Sequence, residues 1–287
     1  MLDPRLLRAF VAIADAGSFT AAADRLHMTQ STMSQQIARL EEAIGRELVD
    51  RTARPVRLTV TGERLLGHAR RILTLQSEAL TLVAETSGTT SVRIGMPDDI
   101  ATPEMAHAFA AFARRHKEAR LDVTTGLRAD LTRRYRSGEL DIVVLKEDTA
   151  SADSWASFEE PIAWFTALAA PEDLPDPVPL VTFPPGGLYR DAMFERLERE
   201  RRRWYVAFTS ASLRNVLMAI EAGLGLSLLP VDAAKGWSVK PLADFPPEPP
   251  VIASLYSWEQ NGIVGELASE VLDILKRHFA RERHPAS

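Results

Sequence analysis

Two short helical patterns joined by a tight turn leave this chain few ways to fold before Gly45. Thr20–Leu26 carries Ala21, Ala22 and Ala23, side chains small enough to let another helix approach closely. A brief turn at His27-Met28 follows. Thr29 is then suited to cap a further helix running to about Ile44, and Gly45 is suited to stop it. Ahead of the pair, Pro4–Asp15 reads as a helix: proline is tolerated in a first turn, and Leu7, Phe10, Val11 and Ala14 recur at helical spacing up to Gly17. Two helices around a tight turn, the second capped by Thr, form a helix-turn-helix pattern.

The helix after Thr29 separates into two faces. Met33, Ile37, Leu40 and Ile44 fall on one stripe and require burial, while Ser31, Gln35, Ala38 and Glu42 lie opposite, flanked by Thr32 and Arg39. Small hydrogen-bonding side chains at the N-terminal end of an exposed face suit a helix that reads base edges in a major groove. A solvated flank would look the same. Leu48–Leu58, with Arg51, Arg54 and Arg57 around Pro55, reads as a short β-ribbon. Its arginines fit a minor groove or phosphates, or simply an arginine-rich surface hairpin.

Thr59 is placed to cap a long helix through about Glu85. Leu66, Ala69, Leu73, Gln76, Leu80 and Val83 follow heptad spacing, and Leu65, Ile72, Ala79 and Leu82 form a second stripe beside them. Such a helix needs a partner, either a second copy or its own domain. Ser87–Ser91 reads as a hinge.

Beyond Val92 the periodicity changes. Strand-like runs at Val92–Gly95, Leu121–Thr125 and Asp141–Leu145 alternate with helical segments Pro103–Arg115 and Ala129–Ser137. A second set contains Trp164–Ala170, Leu180–Phe183, a charged helix Tyr189–Arg202, Tyr205–Phe208, a helix Ser212–Ala222 and Ser227–Pro230. Val251–Tyr256 and an amphipathic helix Val264–Phe279 close the chain. Alternation of this kind predicts parallel α/β sheets, and crossings near Pro161 and Val251 predict two lobes with a ligand cleft between them.

Charge is uneven along the 287 residues. Residues 1–71 hold 11 Arg against 8 acidic residues, a net +3, and the remainder carries −8 of the total −5. A mildly basic head on an acidic body fits nucleic-acid contact at one end. The chain has no cysteine, which excludes disulfides, thiolate metal sites and cysteine nucleophiles. No leader pattern or run of about 20 apolar residues is seen, so the expected location is cytoplasmic, away from the membrane. His27, His68, His107, His116, His278 and His284 lack metal-binding spacing, no G-x-S-x-G elbow occurs, and Gly223-Leu-Gly225 lacks a third glycine. An enzyme is therefore not expected, and neither is a cofactor. A transported-solute binding protein would share the two lobes but not the head. An architectural DNA-binding protein without effector would not need a clamp of this size.

The head resembles that of LysR-type transcriptional regulators. The matching residues are Phe10, Gly17-Ser18-Phe19-Thr20, Ala22-Ala23, Leu26, Thr29-Gln30-Ser31, Ser34-Gln35-Gln36-Ile37, Leu40-Glu41, Gly45, Arg51, Leu58-Thr59 and Gly62. VRIGMPDD, GLRADLTRRYRSGELDIVVL and FTSASLRNVLMAIEAGLGLSLLP resemble the family's effector domain. The resemblance implies an α/β protein with a winged helix-turn-helix at 1–58, a dimerising linker helix and hinge at 59–91, and an effector domain at 92–287. That domain would resemble periplasmic binding proteins, with one lobe from 92–162 and 253–287 and the other from 163–252. Homodimers or homotetramers, duplex promoter DNA, a small-molecule effector and contact with RNA polymerase are the partners it implies. Three positions depart from the family: Val49 replaces a usual Phe, Ser31 a common Pro, and Gly187 stands where similar members often carry cysteine, which removes thiol-based sensing.

The resemblance and the helix faces together place Gln30, Ser31, Ser34 and Gln35 at base edges, with Thr32 and Arg39 near phosphates. Ser18 and Thr20, at a helix start, suit a phosphate, and Arg51 and Arg54 on the ribbon complete the DNA-contacting set, Arg54 for the minor groove. By resemblance the cleft is lined by Pro97–Thr102, Gly126–Arg128, Gly186–Arg190 and Thr209–Ser212, giving Asp98, Asp99, Thr102, Arg128, Tyr189, Arg190, Thr209 and Ser210 as effector-binding candidates. Thr102, Thr209, Ser210, Arg128 and Arg190 suit an anion, whereas Asp98 and Asp99 favour a cation or a hydroxyl-rich molecule unless they cap a helix.

Overall fold

In a computed structural model that describes residues 2–84, 90–242 and 245–282, the first helix, α1 (Pro4–Ala16), begins where Asp3 accepts the Arg5 amide at 2.8 Å. It stops at Gly17, whose φ of 61° lies in the left-handed region that glycine adopts without penalty. The Ser18 hydroxyl accepts the Ala21 amide to open α2 (Phe19–Arg25), and Thr29 opens α3 (Gln30–Ile44), which ends at Gly45. Ala22 and Ala23, almost fully buried, are the small side chains through which α2 approaches its neighbours. β1 (Val49–Asp50) and β2 (Arg57–Leu58) pair antiparallel as a wing.

α4 (Val60–Ala84) starts at Thr59, whose hydroxyl accepts the Gly62 amide at 3.1 Å. A Cβ at Gly62 would fall 2.1 Å from the Leu48 carbonyl oxygen, so the helix can run this close to the wing root only without a side chain there. Leu7, Phe10, Met33, Ile37, Leu40 and Leu48 are fully buried in one core. Each contributes about 1.5–3 kcal/mol over an exposed position. Ala69 belongs to the same core, and Leu65, Leu66, Ile72 and Leu73 pack against it. Part of both apolar stripes of α4 is thus spent inside its own unit. The side chains of Leu80, Leu82 and Val83, and most of the expected Ser87–Ser91 hinge, lie outside the described residues.

The chain divides into two units, 1–90 with 133–140 and 91–132 with 141–287. After α4 it runs through β3 (Thr90–Met96), α5 (Pro103–Arg115), β4 (Ala119–Thr125), α6 (Arg128–Arg136), β5 (Ile142–Glu147), β6 (Ala156–Glu160), β7 (Ile162–Ala167) and β8 (Val178–Thr182). There follow α7 (Leu188–Arg199), β9 (Trp204–Thr209), α8 (Leu213–Glu221), β10 (Ser227–Pro230), β11 (Val239–Pro241), β12 (Val251–Ser257) and α9 (Gly262–Glu282). One lobe is built on a five-stranded sheet of order β4-β3-β5-β12-β6. The other holds the antiparallel sheet β10-β7-β11 and the parallel pair β8-β9, tied by a bridge from Leu180 to Leu226.

The sheets are mixed rather than purely parallel. β3 and β5 run parallel, but β12 is antiparallel to both β5 and β6. β6 was not anticipated from sequence because Ala-Ser-Phe-Glu-Glu is an edge strand with alternating exposure and no run of branched residues. At Pro161 the chain leaves β6 for β7 in the other lobe, and after β11 it returns as β12. Val92, Ile94, Phe112, Ile142, Val144 and Leu255 centre the first lobe's core, while the second divides its core between a Trp164–Leu180–Leu228 cluster and a Phe165–Val181–Ile220 cluster.

Candidate nucleic-acid interface and ligand cleft

α3 presents the surface expected from its pattern. Met33, Ile37 and Leu40 are buried while Ile44, the last member of the expected stripe, is only half-buried, and Gln30, Ser31, Thr32, Gln35, Ala38, Arg39 and Glu42 are exposed, with Ser34 half-buried. The hydroxyls near the start of the helix form a small cluster. Thr29 Oγ1 lies 2.8 Å from both Ser31 Oγ and Thr32 Oγ1, and it accepts the Thr32 amide at 3.1 Å. Those hydroxyls therefore serve the cap as well as facing solvent. Gln30, Gln35 and Arg39 make no side-chain hydrogen bond or ion pair among the described residues, which leaves their polar atoms available to an outside partner.

The wing is held from beneath. Glu41 of α3 accepts the Leu48 and Val49 amides through Oε1, at 2.9 and 3.3 Å, and Arg51 donates to Oε2 at 2.7 Å. Arg51 also sits over the Phe19 ring. Its guanidinium is thus engaged within the head, whereas Arg54 at the exposed tip has no ion pair among the described residues. Ser18 is occupied as the α2 cap, and Thr20 is exposed on the first turn of the same helix.

In the second unit, a cavity of about 60 Å³ opens between the lobes. Its walls come from Pro97, Asp98 and Asp99 after β3, Gly126–Arg128 before and at the start of α6, and Lys146 at the end of β5. The second lobe adds Phe183, Gly187–Tyr189, Ala211, Leu213 and Pro230. Of the candidates named from sequence, Asp98, Asp99, Arg128 and Tyr189 line this cavity. The other four lie elsewhere. Thr102 caps α5 by accepting the Met105 amide, and Arg190 donates to the Phe183 carbonyl and stacks over Phe194. Ser210 accepts the Ser212 amide and the Asn215 side chain, and Thr209 ends β9. Because Thr102 supplies the α5 cap, Asp98 and Asp99 are not consumed as helix caps.

Lys146 was not anticipated. It is nearly buried and forms ion pairs with Asp99 and with Glu160, the latter at 2.5 Å. In sequence it is the first of three charged residues, Lys146-Glu147-Asp148, that close the apolar run Ile142–Leu145, a signal that reads equally well as the exposed end of a strand. Burial alone would push its ammonium down, but the Asp99 and Glu160 carboxylates outweigh that and hold it well above the ordinary lysine value. Burial pushes Glu160 up to about 7, against the pull of Lys146. The Tyr189 hydroxyl is likewise raised by burial, and no well-formed hydrogen bond satisfies it. At the rim, Arg128 is paired with Asp148 at 2.8 Å. A Cβ at Gly187 would stand 2.8 Å from Phe183 Cβ, so a cysteine at this position could not enter without a shift of the loop.

Two family models match the chain: "Bacterial regulatory helix-turn-helix protein, lysR family" over residues 4–63 and "LysR substrate binding domain" over residues 86–280. The HTH-type transcriptional regulator DgdR of Burkholderia cepacia is 32% identical over 228 residues, 79% of this chain and 78% of that protein. PecT of Dickeya dadantii is 29% identical over 231 residues, 80% and 73% of the two chains. Among solved structures, full-length LysG from Corynebacterium glutamicum with bound effector Arg is similar with a TM-score of 0.55 at 23% identity, covering 95% of this chain and 97% of that one. ArgP from Mycobacterium tuberculosis gives 0.53 at 23% identity, covering 96% and 97%. At these identities the structural likeness bears on the fold. The family models span head and body alike: the chain belongs to the LysR family of transcriptional regulators, with a helix-turn-helix that binds DNA and a second domain that binds an effector.

Proposed function

We propose that this regulator reads duplex operator DNA through the exposed face of α3 and the wing, and that a small molecule seated between the two lobes changes its action on transcription. Residues 1–58 are assigned to DNA binding, 59–91 to dimerisation and the hinge, and 92–287 to the effector domain. Gln30 and Gln35 take base edges, since a side-chain amide can pair bidentately with adenine. Ser31 and Ser34 supplement them, Thr32 and Arg39 meet phosphates, and Ser18 and Thr20 hold a further phosphate at the α2 start. Arg54 enters the minor groove, while Arg51 acts chiefly by fixing the wing. The protein works in the cytoplasm as a homodimer or homotetramer and can engage RNA polymerase at its promoters, as activator, repressor or both.

The observation that carries this reading is the set of polar side chains on α3 and at the wing tip, Gln30, Gln35, Arg39 and Arg54, that no protein group satisfies among the described residues. Fluorescence anisotropy on the intergenic DNA next to the encoding gene tests it. The expected result is salt-dependent binding that a scrambled duplex of equal length cannot match. Equal affinity for both duplexes would remove sequence reading, and no binding to either would remove the DNA role.

A further inference from the structure

The cleft carries a charge imbalance that narrows what can fill it. Two carboxylates, Asp99 and Glu160, close on the single Lys146 ammonium, and the Asp99, Glu160 and Lys146 side chains are 13%, 2% and 5% exposed. Lys146, the buried cation that faces the cavity among the described residues, is therefore already committed twice and has little left for an anionic ligand. Asp99 commits Oδ2 to Lys146, and its Oδ1 accepts no hydrogen bond among the described residues. Asp98, exposed beside it, has no ion pair there, and Arg128 is neutralised by Asp148. At the cavity wall Asp98 and Asp99 face Lys146, so the balance is negative whether or not Glu160 is ionised.

A second observation is a hydroxyl that lies beside these charges. The Tyr189 hydroxyl is buried at the cavity wall beside the Lys146 ammonium, without a well-formed hydrogen bond of its own. A buried hydroxyl without a well-formed partner is destabilising, and a ligand donor or acceptor relieves that on binding. Most of the remaining wall, including Pro97, Leu127, Phe183, Leu188, Leu213 and Pro230, offers carbon rather than polar side chains.

Resting on the reading that this cleft holds the effector, we infer that the ligand is a small primary amine with an apolar body, its ammonium bound by Asp99 and the Tyr189 hydroxyl. The ammonium supplies the positive charge that Asp98 and Asp99, set against Lys146 alone, lack at the cavity wall, and its three donors match Asp99 Oδ1 and the Tyr189 oxygen. The N-termini of α7 and α8 reach the same cavity without side-chain caps, so a carboxylate on the same molecule is accommodated there. Selection rests on the amine. Aliphatic alcohols and carboxylates of the same size lack the charge that Asp99 recognises.

Titration calorimetry on the full-length regulator tests this with two matched pairs that exchange an amino for a hydroxyl group: butylammonium against 1-butanol, and norvaline against 2-hydroxypentanoate. The amine of each pair is expected to bind about tenfold more tightly or better, the effect of one charge-assisted hydrogen bond. Asp99→Asn is expected to erase the preference, and Tyr189→Phe, which removes an unsatisfied hydroxyl and so leaves the fold intact, to weaken the amine several-fold. Equal affinity within each pair overturns the inference. So does a preference that survives Asp99→Asn, which would reduce Asp99 to an anchor for Lys146, and so does failure of all four compounds to bind. DNA binding measured on the same preparation separates the outcomes: operator affinity without amine selectivity defeats this inference alone, whereas loss of operator binding defeats the regulator reading.

Discussion

Glu41 near the end of α3 receives the Arg51 guanidinium at 2.7 Å, so the reading helix and the wing share one acid. Its other oxygen takes the Leu48 and Val49 amides where the wing begins. A single carboxylate thereby fixes the wing root to the helix that it must accompany onto DNA. Glu41→Ala leaves both amides unmet in a part-buried setting, and a loss of about 2 kcal/mol is expected in urea unfolding. Arg51→Ala removes only the half-exposed ion pair and should cost under about 1 kcal/mol. Equal losses in the two variants would mean that the backbone amides gain nothing from Glu41.

The unpaired side chains on the two elements separate two kinds of DNA contact. Gln35→Ala is expected to lower affinity for the operator by about 1–3 kcal/mol while leaving random duplex nearly unchanged, because a base-edge contact carries the discrimination. Arg54→Ala should weaken both duplexes to a similar degree and flatten the dependence on salt by about one ion. Anisotropy titrations at several salt concentrations distinguish them. A Gln35→Ala variant that loses operator and random DNA equally would move Gln35 from base reading to backbone contact.

Much of the head could be read from its sequence because local chemistry and packing agree there. Thr29 and Gly45 bound α3 as the cap rules predict, and the stripe of Met33, Ile37 and Leu40 is buried. In the second unit the agreement is weaker. β6 has no strand signature of its own and exists because β12 pairs with it across the sheet. The cleft was legible in part through the family resemblance, which implies Asp98 and Asp99 there; they stand in the loop after β3 and line the cavity. Lys146 and Glu160 were not, since they lie 14 residues apart in sequence on strands separated by β12, and only the sheet order brings them together. The resemblance implies Arg190 in the cleft as a charge suited to an anion, but its side chain donates to the Phe183 carbonyl and lies over Phe194.

Gly62 tests how closely α4 must approach the wing. Gly62→Ala places a methyl group where the Leu48 carbonyl oxygen stands, 2.1 Å from the new Cβ, and that oxygen also accepts the Thr59 amide at 3.0 Å. Neither backbone can yield cheaply. The variant is expected to lose about 1–3 kcal/mol, the usual cost of overpacking, although alanine is otherwise the better helix former. A gain in melting temperature would mean that the start of α4 can move away from the wing without loss.

The buried cluster at Lys146 predicts a dependence of stability on pH that runs against the ordinary carboxylate trend. Glu160, held up to about 7 by burial, is faced by Lys146 of β5, Asp99 of the loop after β3, Tyr189 of α7 and Asp232 after β10. Its pKa in the folded chain thus lies above its unfolded value, and folding takes up a proton between them. Its contribution is complete below about pH 4.5, the ordinary glutamate range, and is lost as pH rises towards 7. The slope is at most about 1.4 kcal/mol per pH unit, with Lys146 remaining charged beside Asp99 throughout. Glu160→Gln, which keeps the shape and removes the titration, should abolish this component. The difference in unfolding free energy between the parent and Glu160→Gln, measured by urea denaturation from pH 4.5 to 8, is therefore expected to shift against the parent up to about pH 7 and then level off. A difference that stays constant over that range would mean that Glu160 ionises in the folded chain as readily as in the unfolded one.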